Sequence, residues 1–260
     1  MITAFFVFIL GACMGSFCSA LLYRTRHGGS MITGRSQCTS CKKQLAAIDL
    51  VPIVSWLSHR GRCRYCKAKV SWQYLALEVG MGVLFVAAYY RYCGAGYECL
   101  MIPAGLLAAG RLMVFLVFLA LVFVYDARHG EIPDSFTITG GAVALLINIS
   151  MKPGDWPWYL LAAAVGAAFF GAQYVLSRGR WVGDGDIFVG AMIGAMVGWP
   201  AVLASLFSSY VLGFALVVTL MAVKRKKLTD TLPMGPLLVV GAIAVLFLPL
   251  NFFPLFWYPL

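Results

Sequence analysis

The strongest constraint on this chain is a series of long apolar blocks separated by polar stretches, all but one of them short. Of its 260 residues, 62% are hydrophobic and only 12% are charged, whereas a soluble domain has about 45–50% apolar and about 25% charged residues. Apolar segments of about 20 residues have the length of a helix that crosses a bilayer. The composition excludes a soluble globular enzyme and a disordered chain, and it indicates a polytopic membrane protein.

The apolar blocks predict an all-α membrane protein with about eight transmembrane helices. The first block, 2–22, lacks the charged start of a secretory signal, so we expect this helix to be retained. The other seven are predicted at 74–90, 100–125, 136–150, 158–176, 187–198, 201–223 and 236–258. The predicted domains are therefore a first helix at 1–22, a polar loop at 23–73 and a seven-helix membrane core at 74–258.

The distribution of basic residues predicts which loops face the cytoplasm. The formal net charge of +10 would suggest nucleic-acid binding in a soluble protein, but in a membrane protein it is typical of cytoplasmic loops rich in Lys and Arg. Strict alternation of eight spans places nearly all basic residues in loops on one side, at 23–73, 126–135, 177–186 and 224–235. We expect this side to be cytoplasmic, both chain ends to lie outside, and the lipid bilayer rather than nucleic acid to be the partner.

Four of the eight cysteines form two CxxC pairs in the polar loop, Cys38 with Cys41 and Cys63 with Cys66. Each pair at this spacing can present two thiolates to one ion, and two pairs complete a closed tetrahedral zinc site. Basic residues around both pairs would offset the negative charge of the thiolates. The loop is therefore predicted to be a small cytoplasmic zinc-ribbon-like domain with structural Zn²⁺, the alternative being redox-active cysteine pairs.

Two further cysteines, Cys93 and Cys99, lie six residues apart on the predicted outer side. An oxidising compartment on that side would permit a disulfide between them. The sequence leaves the bridge and two free thiols equally open.

The few acidic residues carry the clearest indication of chemistry. Five of the ten crowd into two short segments at span ends on the predicted cytoplasmic side, namely Asp126, Glu131, Asp134, Asp184 and Asp186. Carboxylates at a membrane boundary are costly, and they mark functional sites. Two aspartates brought together from different helices can share one proton, hold a water molecule and hydrolyse a peptide bond without a metal.

The local sequence assigns these acids only in part. Asp126 follows an apolar run at a helix C-terminus, where the helix dipole disfavours a negative charge, so a capping role is poorly supported. Asp134 follows a proline at the next helix start and is better interpreted as an N-cap. We therefore expect Asp126 rather than Asp134 to take part in a carboxylate pair.

The segment Gly183-Asp184-Gly185-Asp186 opens the short, glycine-rich span at 187–198. Its glycines permit unusual backbone dihedrals and let an extended peptide approach a carboxylate closely. Asp186 can be an N-cap or the partner of Asp126, and spacing alone does not separate it from Asp184. Glycines recur at every fourth position of the span, which is typical of close helix packing, so we expect neighbouring helices to surround it.

Long motifs give the chain a resemblance to the type IV prepilin peptidase family, membrane aspartic proteases that also methylate their products. The motifs, which run almost from end to end, are Gly15-Ser-Phe17, Tyr23-Arg24, Gly34-Arg-Ser36, the stretches 49–56 and 60–66, Glu78, Asp126, Ile132-Pro-Asp134, Gly183-x-Gly-Asp186 and Pro233-Met-Gly-Pro236. The resemblance implies that Asp126 and Asp186 are the catalytic pair. It gives Gly183, Asp184 and Gly185 a supporting role, with Asp184 at the variable position of the motif.

The resemblance also implies a substrate and a second reaction. It implies cleavage of type IV prepilins or pseudopilins after a short basic leader, at the cytoplasmic face of a bacterial inner membrane. It further implies methylation of the new N-terminus with S-adenosylmethionine as methyl donor, an activity tied to the zinc loop. Glu78 could contact the methyl donor or the substrate amine, or it could pair with a Lys or Arg of the loop.

One position departs from the family pattern. Phe188 stands two residues after the second aspartate, where the family commonly has a lysine. A lysine could tune the protonation of the pair through its charge. Since both aspartates are present, the departure concerns the pH optimum more than the activity.

Two other functions remain open from the sequence. A presenilin-like intramembrane aspartic protease also uses a glycine–aspartate motif but cleaves within transmembrane helices, and the family-like first loop argues against it. A non-enzymatic membrane scaffold could use the zinc loop for docking and would need neither aspartate. Replacement of Asp126 or Asp186 by Asn separates the scaffold from an enzyme.

Overall fold

The computed structural model describes residues 2–29, 34–94, 103–222 and 233–248. Within these ranges the chain is mostly helical, without named strands, as the sequence predicts. In the described residues, two short 3₁₀ turns, Ala47–Leu50 and Pro153–Asp155, accompany nine α-helices. The helices are α1 (Ile2–Arg26), α2 (Val54–Ser58), α3 (Trp72–Cys93), α4 (Pro103–His129), α5 (Asp134–Met151), α6 (Trp156–Ser177), α7 (Asp184–Val197), α8 (Ala201–Ala222) and α9 (Gly235–Phe247).

A helix is present at each of the eight predicted spans, but the helices differ in length. In the described part of the chain, six are long and apolar enough to cross a membrane: α1, α3, α4, α5, α6 and α8. α7 has 14 residues and α9 has 13, which gives each a length of about 20 Å against a hydrocarbon core of about 30 Å. The last predicted span, 236–258, extends beyond the described residues.

Several helices continue past the apolar blocks from which they were predicted. α1 runs on to Arg26 and α4 runs on to His129, so that Asp126 lies in the last turn of α4. Long basic side chains at a helix end can place their charge in water while their stems cover apolar surface. The loop predicted at 126–135 therefore shortens to the four residues between α4 and α5.

The chain divides into two compact units, Met1–Val117 and Phe118–Leu260. In the first, α1 and α3 pack in antiparallel directions through glycines. A Cβ atom at Gly11 would lie 2.8 Å from the Cα of Gly82, and one at Gly15 would lie 2.7 Å from the Cα of Glu78. Both distances are too short for any side chain, so the two helix backbones approach closely here. The polar loop joins the adjacent ends of this pair.

In the second unit α7 lies among α5, α6, α8 and α9, which confirms the predicted packing of this short helix. A Cβ atom at Gly190 would lie 2.9 Å from the carbonyl carbon of Gly166 on α6. α5 runs parallel to α7, because Ile132 lies against Gly185 and Asn148 Nδ2 donates to the Ala195 carbonyl at 2.8 Å. The N-terminal ends of α5 and α7 thus lie together.

The helix contacts predict opposite effects for two Gly→Ala substitutions. A Cβ atom at Gly194 would lie 2.5 Å from the carbonyl carbon of Ala162, whereas nothing lies within 4 Å of one at Gly171. We expect Gly194→Ala to lower the free energy of unfolding by about 1–3 kcal/mol through overpacking. Gly171→Ala should be neutral or stabilise by up to about 1 kcal/mol, since Ala favours helix. Thermal unfolding in one detergent measures both, and equal melting temperatures would contradict the packing.

Candidate active site and metal site

Two buried aspartates lie at helix ends in the second unit. Asp126, in the last turn of α4, is 5% exposed, and Asp186, in the first turn of α7, is 6% exposed. Each accepts one backbone N–H. Gly235 donates to Asp126 Oδ2 at 2.8 Å, and Gly183 donates to Asp186 Oδ2 at 2.9 Å. The two carboxylates interact electrostatically, so the structure brings the two predicted residues together.

Asp186 makes a capping hydrogen bond from the first turn of its helix, not from the N-cap position. Gly183 is the N-cap of α7, and Asp186, three residues on, accepts the N–H of Gly183. A carboxylate in the first turn also interacts favourably with the helix dipole. The interpretation of Asp186 as the N-cap residue is therefore wrong by three positions, although a capping bond is present.

Gly235 completes the surroundings of Asp126, and it was absent from the predicted site residues. It is the first residue of α9, and its N–H points at the carboxylate. A Cβ atom at this position would lie 2.6 Å from Asp126 Oδ2, so only glycine lets the backbone approach so closely. The signal that could have found it is the Pro233-Met-Gly-Pro236 turn before the last apolar block.

Burial separates the paired aspartates from the other acids of the two segments. Asp184 precedes Asp186 by two residues but is exposed, as are Glu131 and Asp134. Asp134 is the first residue of α5, and Pro133 occupies the N-cap position without a side-chain bond. The predicted N-cap role of Asp134 is therefore wrong, because the helix includes it. Its charge still lies in the first turn, where the dipole favours it.

A tyrosine on α8 is a second polar feature that sequence reasoning missed. The Tyr210 hydroxyl donates to Gln173 Oε1 at 2.9 Å, and Tyr210 also interacts electrostatically with Asp186. Because it stands in a long apolar run, its sequence context gives no signal of this proximity.

Phe188 lies on a different face of α7 from Asp186. Two residues along an α-helix are about 200° apart, and the Phe188 side chain is 39% exposed while Asp186 is buried. A side chain at position 188 therefore points away from the buried carboxylate of Asp186.

Glu78 joins the polar loop to the α1–α3 pair. Its residue surface is 6% exposed, and its Oε2 accepts the backbone N–H of Ile53 at 2.7 Å. It also accepts a hydrogen bond from the Ser16 side chain on α1. In the described part of the chain, Glu78 thus links the backbone of the loop to α1, and its pairing with a Lys or Arg of the loop stays a prediction.

The four loop cysteines form one cluster, as their spacing predicts. The Sγ atoms of Cys38, Cys41, Cys63 and Cys66 all lie within 4.8 Å of one another. Cys38 and Cys63 are buried while Cys41 and Cys66 are exposed. Four sulfurs at this separation fit a closed tetrahedral Zn²⁺ site, whose Zn–S bonds are about 2.3 Å long.

The two halves of the cluster repeat the same backbone geometry. Cys38 N–H donates to the Lys43 carbonyl at 2.9 Å and Lys42 N–H returns to the Cys38 carbonyl at 3.0 Å. The same pair of bonds recurs around Cys63, and Lys42 and Lys67 both have positive φ. The backbone N–H groups of Cys41 and Ser40, together with the neighbouring thiols, lower the pKa of the Cys38 thiol to about 6. The repeated geometry thus brings the cysteines of both halves to one place.

Asp49 links the segment between the two CxxC pairs to the second pair, Cys63 and Cys66. Its buried carboxylate accepts the Ala46 N–H at 3.1 Å and the Tyr65 hydroxyl at 3.0 Å. Burial raises the pKa of Asp49, but these hydrogen bonds and the charges of Arg64 and His59 lower it more, so that its net pKa lies below the ordinary value. The carboxylate therefore stays ionised and holds the loop together.

The predicted outer cysteines are described only in part. Cys93, the last residue of α3, is disulfide-bonded. Cys99 lies outside the described residues, so its pairing with Cys93 stays a prediction.

Comparison with known proteins gives matches over most of the chain. Residues 9–92 match the bacterial peptidase A24 N-terminal domain, and residues 113–218 match the type IV leader peptidase family. The chain is 32% identical over 242 residues to the prepilin leader peptidase/N-methyltransferase of Bacillus subtilis (strain 168), covering 91% of each. It is 30% identical over 268 residues to the Pseudomonas putida protein of that name, covering 92% of this chain and 88% of the relative.

A third relative is longer than this chain. The prepilin leader peptidase/N-methyltransferase of Myxococcus xanthus (strain DK1622) is 33% identical over 207 residues, and the match covers 78% of this chain and 58% of that protein. A comparison with solved structures finds no significant match.

The cysteine geometry predicts that one substitution removes the metal. Because Cys63 is a buried member of the cluster, we expect Cys63→Ser to lose most of the zinc, against about one Zn²⁺ per wild-type chain. Cys13→Ser, which changes an exposed cysteine on α1, is the matched control and should keep it. Elemental analysis of purified protein makes the measurement. A wild-type chain without zinc but with four intact thiols would contradict the site.

Proposed function

From the premise that the chain belongs to the prepilin leader peptidase/N-methyltransferase family, we propose that it is a membrane aspartic endopeptidase. It removes the short basic leader of type IV prepilins or pseudopilins at the cytoplasmic side of a bacterial inner membrane. It then methylates the new N-terminus with S-adenosylmethionine as methyl donor. The names of the relatives support the substrate class and the second reaction.

The buried aspartate pair carries the peptidase proposal. Two carboxylates in a poorly solvated site resist double ionisation, so one of them keeps a proton. In the proposed reaction the ionised aspartate takes a proton from a bound water, whose oxygen attacks the scissile carbonyl. The protonated aspartate gives its proton to the carbonyl oxygen. Collapse of the intermediate returns a proton to the leaving amine and restores the pair.

The two glycine N–H groups support this chemistry by fixing the carboxylates. Gly235 and Gly183 each hold Oδ2 of one aspartate, and neither donor carries a full charge. A cation in the same place would favour the ionised form of both acids and so oppose the sharing of a proton. Neutral donors orient the pair and leave its proton free to move.

The surroundings of the pair fit a basic leader. Exposed acids lie near the helix ends that carry the aspartates, and Asp184 is two residues from Asp186. Negative charge near the site would attract a leader rich in Lys and Arg. We propose that this end of the second unit faces the cytoplasm and that both chain ends lie outside, following the distribution of basic residues.

The polar loop is proposed as the part associated with methyl transfer, with the domains at 1–22, 23–73 and 74–258. The four thiols fit a structural zinc ion, which would fix the loop without an open position for a substrate. A contact between Glu78 and the methyl donor or the substrate amine stays a prediction. The bonds of Glu78 to Ile53 and Ser16 also let it act by positioning the loop.

One assay tests both reactions. The detergent-solubilised chain is incubated with a prepilin and S-adenosylmethionine, and mass spectrometry resolves the products. Cleavage at the leader boundary with a methyl adduct supports both proposals. Cleavage without an adduct contradicts the methyltransferase alone, and no cleavage of a matched substrate by a folded chain contradicts the peptidase.

The aspartate pair predicts a sharp difference between neighbouring acids. Asp126→Asn and Asp186→Asn should each lower the cleavage rate by roughly 10²–10⁴-fold or more, since each removes a proton acceptor of the reaction. Asp184→Asn, two residues from Asp186 and exposed, is the matched control and should lose far less activity, because it weakens the attraction of the leader but removes no proton acceptor. Initial rates with unchanged melting temperatures measure the effect. Retained cleavage in Asp126→Asn or Asp186→Asn would refute the pair.

The position of Gly235 predicts that a single methyl group impairs cleavage. Alanine there would place Cβ 2.6 Å from Asp126 Oδ2 and displace the carboxylate, and a misplacement of about 1 Å can cost roughly 10²-fold in rate. Gly171→Ala introduces the same methyl group in open space and should leave the rate unchanged. Comparison of cleavage rates at equal zinc content checks this, and equal rates for the two variants would show that the Gly235 contact does not orient Asp126.

A further inference from the structure

A run of exposed aliphatic side chains lies in the middle of the polar loop. It covers the 3₁₀ turn Ala47–Leu50 and helix α2, and its members are between 41% and 64% exposed: Ile48, Leu50, Val51, Val54 and Leu57. Five such side chains within ten residues form an apolar patch rather than the scattered apolar residues of an ordinary surface.

The apolar patch is tethered beside the apolar part of α3. Ile53, in the middle of the patch, donates its N–H to Glu78 on α3. α3 begins at Trp72, which is 73% exposed, and tryptophan is typical of the membrane interface. Glu78 lies six residues further on, about 9 Å deeper along the helix axis. The tether therefore holds the patch close to the level at which α3 enters the membrane.

A basic cavity opens where the apolar patch ends. Its volume is about 460 Å³, and its lining residues are Ser58, His59, Arg60, Arg62, Cys63 and Lys67. Arg60, Arg62 and Lys67 are exposed, and His59 lies 3.8 Å from Asp49. Three basic side chains thus share one concave surface, a composition that suits a phosphate group.

The positive charge of the loop exceeds what the cysteine cluster needs. Between positions 23 and 72 the sequence has ten Lys and Arg residues and a single acid, Asp49. Four thiolates around one divalent ion leave a net charge of about −2. That negative charge is smaller than the positive charge of the loop, and the cavity holds three of the basic residues.

We propose that the apolar patch and the basic cavity together form a membrane-docking surface. The aliphatic side chains enter the interfacial layer, and the cavity binds the phosphate of an anionic phospholipid headgroup. Apolar insertion combined with a basic patch is the pair of signals that gives stable interfacial binding. A free phosphate ion would account for the cavity but not for the aliphatic residues beside it. The surface does not depend on the proposed peptidase activity.

Hydrogen exchange of the full chain in nanodiscs tests the proposal. The amides of residues 47–67 are compared between pure phosphatidylcholine and mixtures with increasing phosphatidylglycerol. We expect slower exchange of this segment as the anionic lipid increases. Each Lys or Arg near an anionic surface strengthens binding roughly fivefold. The double variant Arg60→Gln/Arg62→Gln should therefore weaken the binding of this segment to the anionic lipid roughly 25- to 30-fold, and with it the slowing of exchange.

Three comparisons make the result specific. Arg35→Gln/Lys69→Gln removes the same charge from the same loop outside the cavity and should keep the response, and unchanged zinc content shows that each variant is folded. Val54→Ser/Leu57→Ser should weaken the response to phosphatidylglycerol. Inorganic phosphate added in detergent should not reproduce the protection.

Four outcomes would overturn the proposal. Protection that is equal in neutral and anionic nanodiscs would indicate that another part of this chain, rather than anionic lipid, covers the apolar patch. An equal loss of protection in both charge variants would show that the net charge of the loop, and not the cavity, causes the slower exchange. A response that survives Val54→Ser/Leu57→Ser would remove the apolar patch from the surface, and full protection by inorganic phosphate would assign the cavity to a free anion.

Discussion

Buried carboxylates must be paired inside an apolar protein, and the way this chain pairs them governs its other features. Glu78, Asp126 and Asp186 are each about 95% buried, and each accepts a backbone N–H. An unpaired carboxylate in such surroundings would cost several kcal/mol. A backbone N–H meets the need for a hydrogen bond and favours the ionised form less strongly than the full charge of an Arg or Lys partner would.

This choice of donor explains why glycine stands at the critical positions. At Gly235 a side chain would collide with the carboxylate that its own N–H must reach. Gly190 and Gly194 let α7 approach α6 so closely that a helix of only 14 residues is buried among four others. Dense packing of α7 holds its first turn, and with it Asp186, in a fixed position. The same residue type thus sets both the helix packing and the geometry of the aspartates.

What the sequence predicts well is local, and what it misses depends on distant contacts. The cysteine cluster followed from spacing alone, because two CxxC knuckles have a repeated backbone geometry that needs little from the rest of the chain. Spacing could not separate Asp184 from Asp186, because their difference is burial against other helices. The prediction for Asp134 failed by one residue at a helix boundary. Gly235 was missed because it contacts an aspartate 109 residues away: the turn around it marks an unusual backbone but does not say what that backbone contacts.

The closed cysteine cluster limits what zinc can do for the loop. Four sulfur ligands leave no coordination position for water or substrate, so the ion would act by fixing the two knuckles relative to each other. Asp49 and Tyr65 extend this rigidity to the segment that carries the apolar patch, and Glu78 fastens that segment to α3. The loop is thereby held at two places, one in its own cysteine cluster and one in a membrane-spanning helix. A segment fixed in this way keeps its surface at a constant depth beside the membrane, which an untethered loop of the same composition would not.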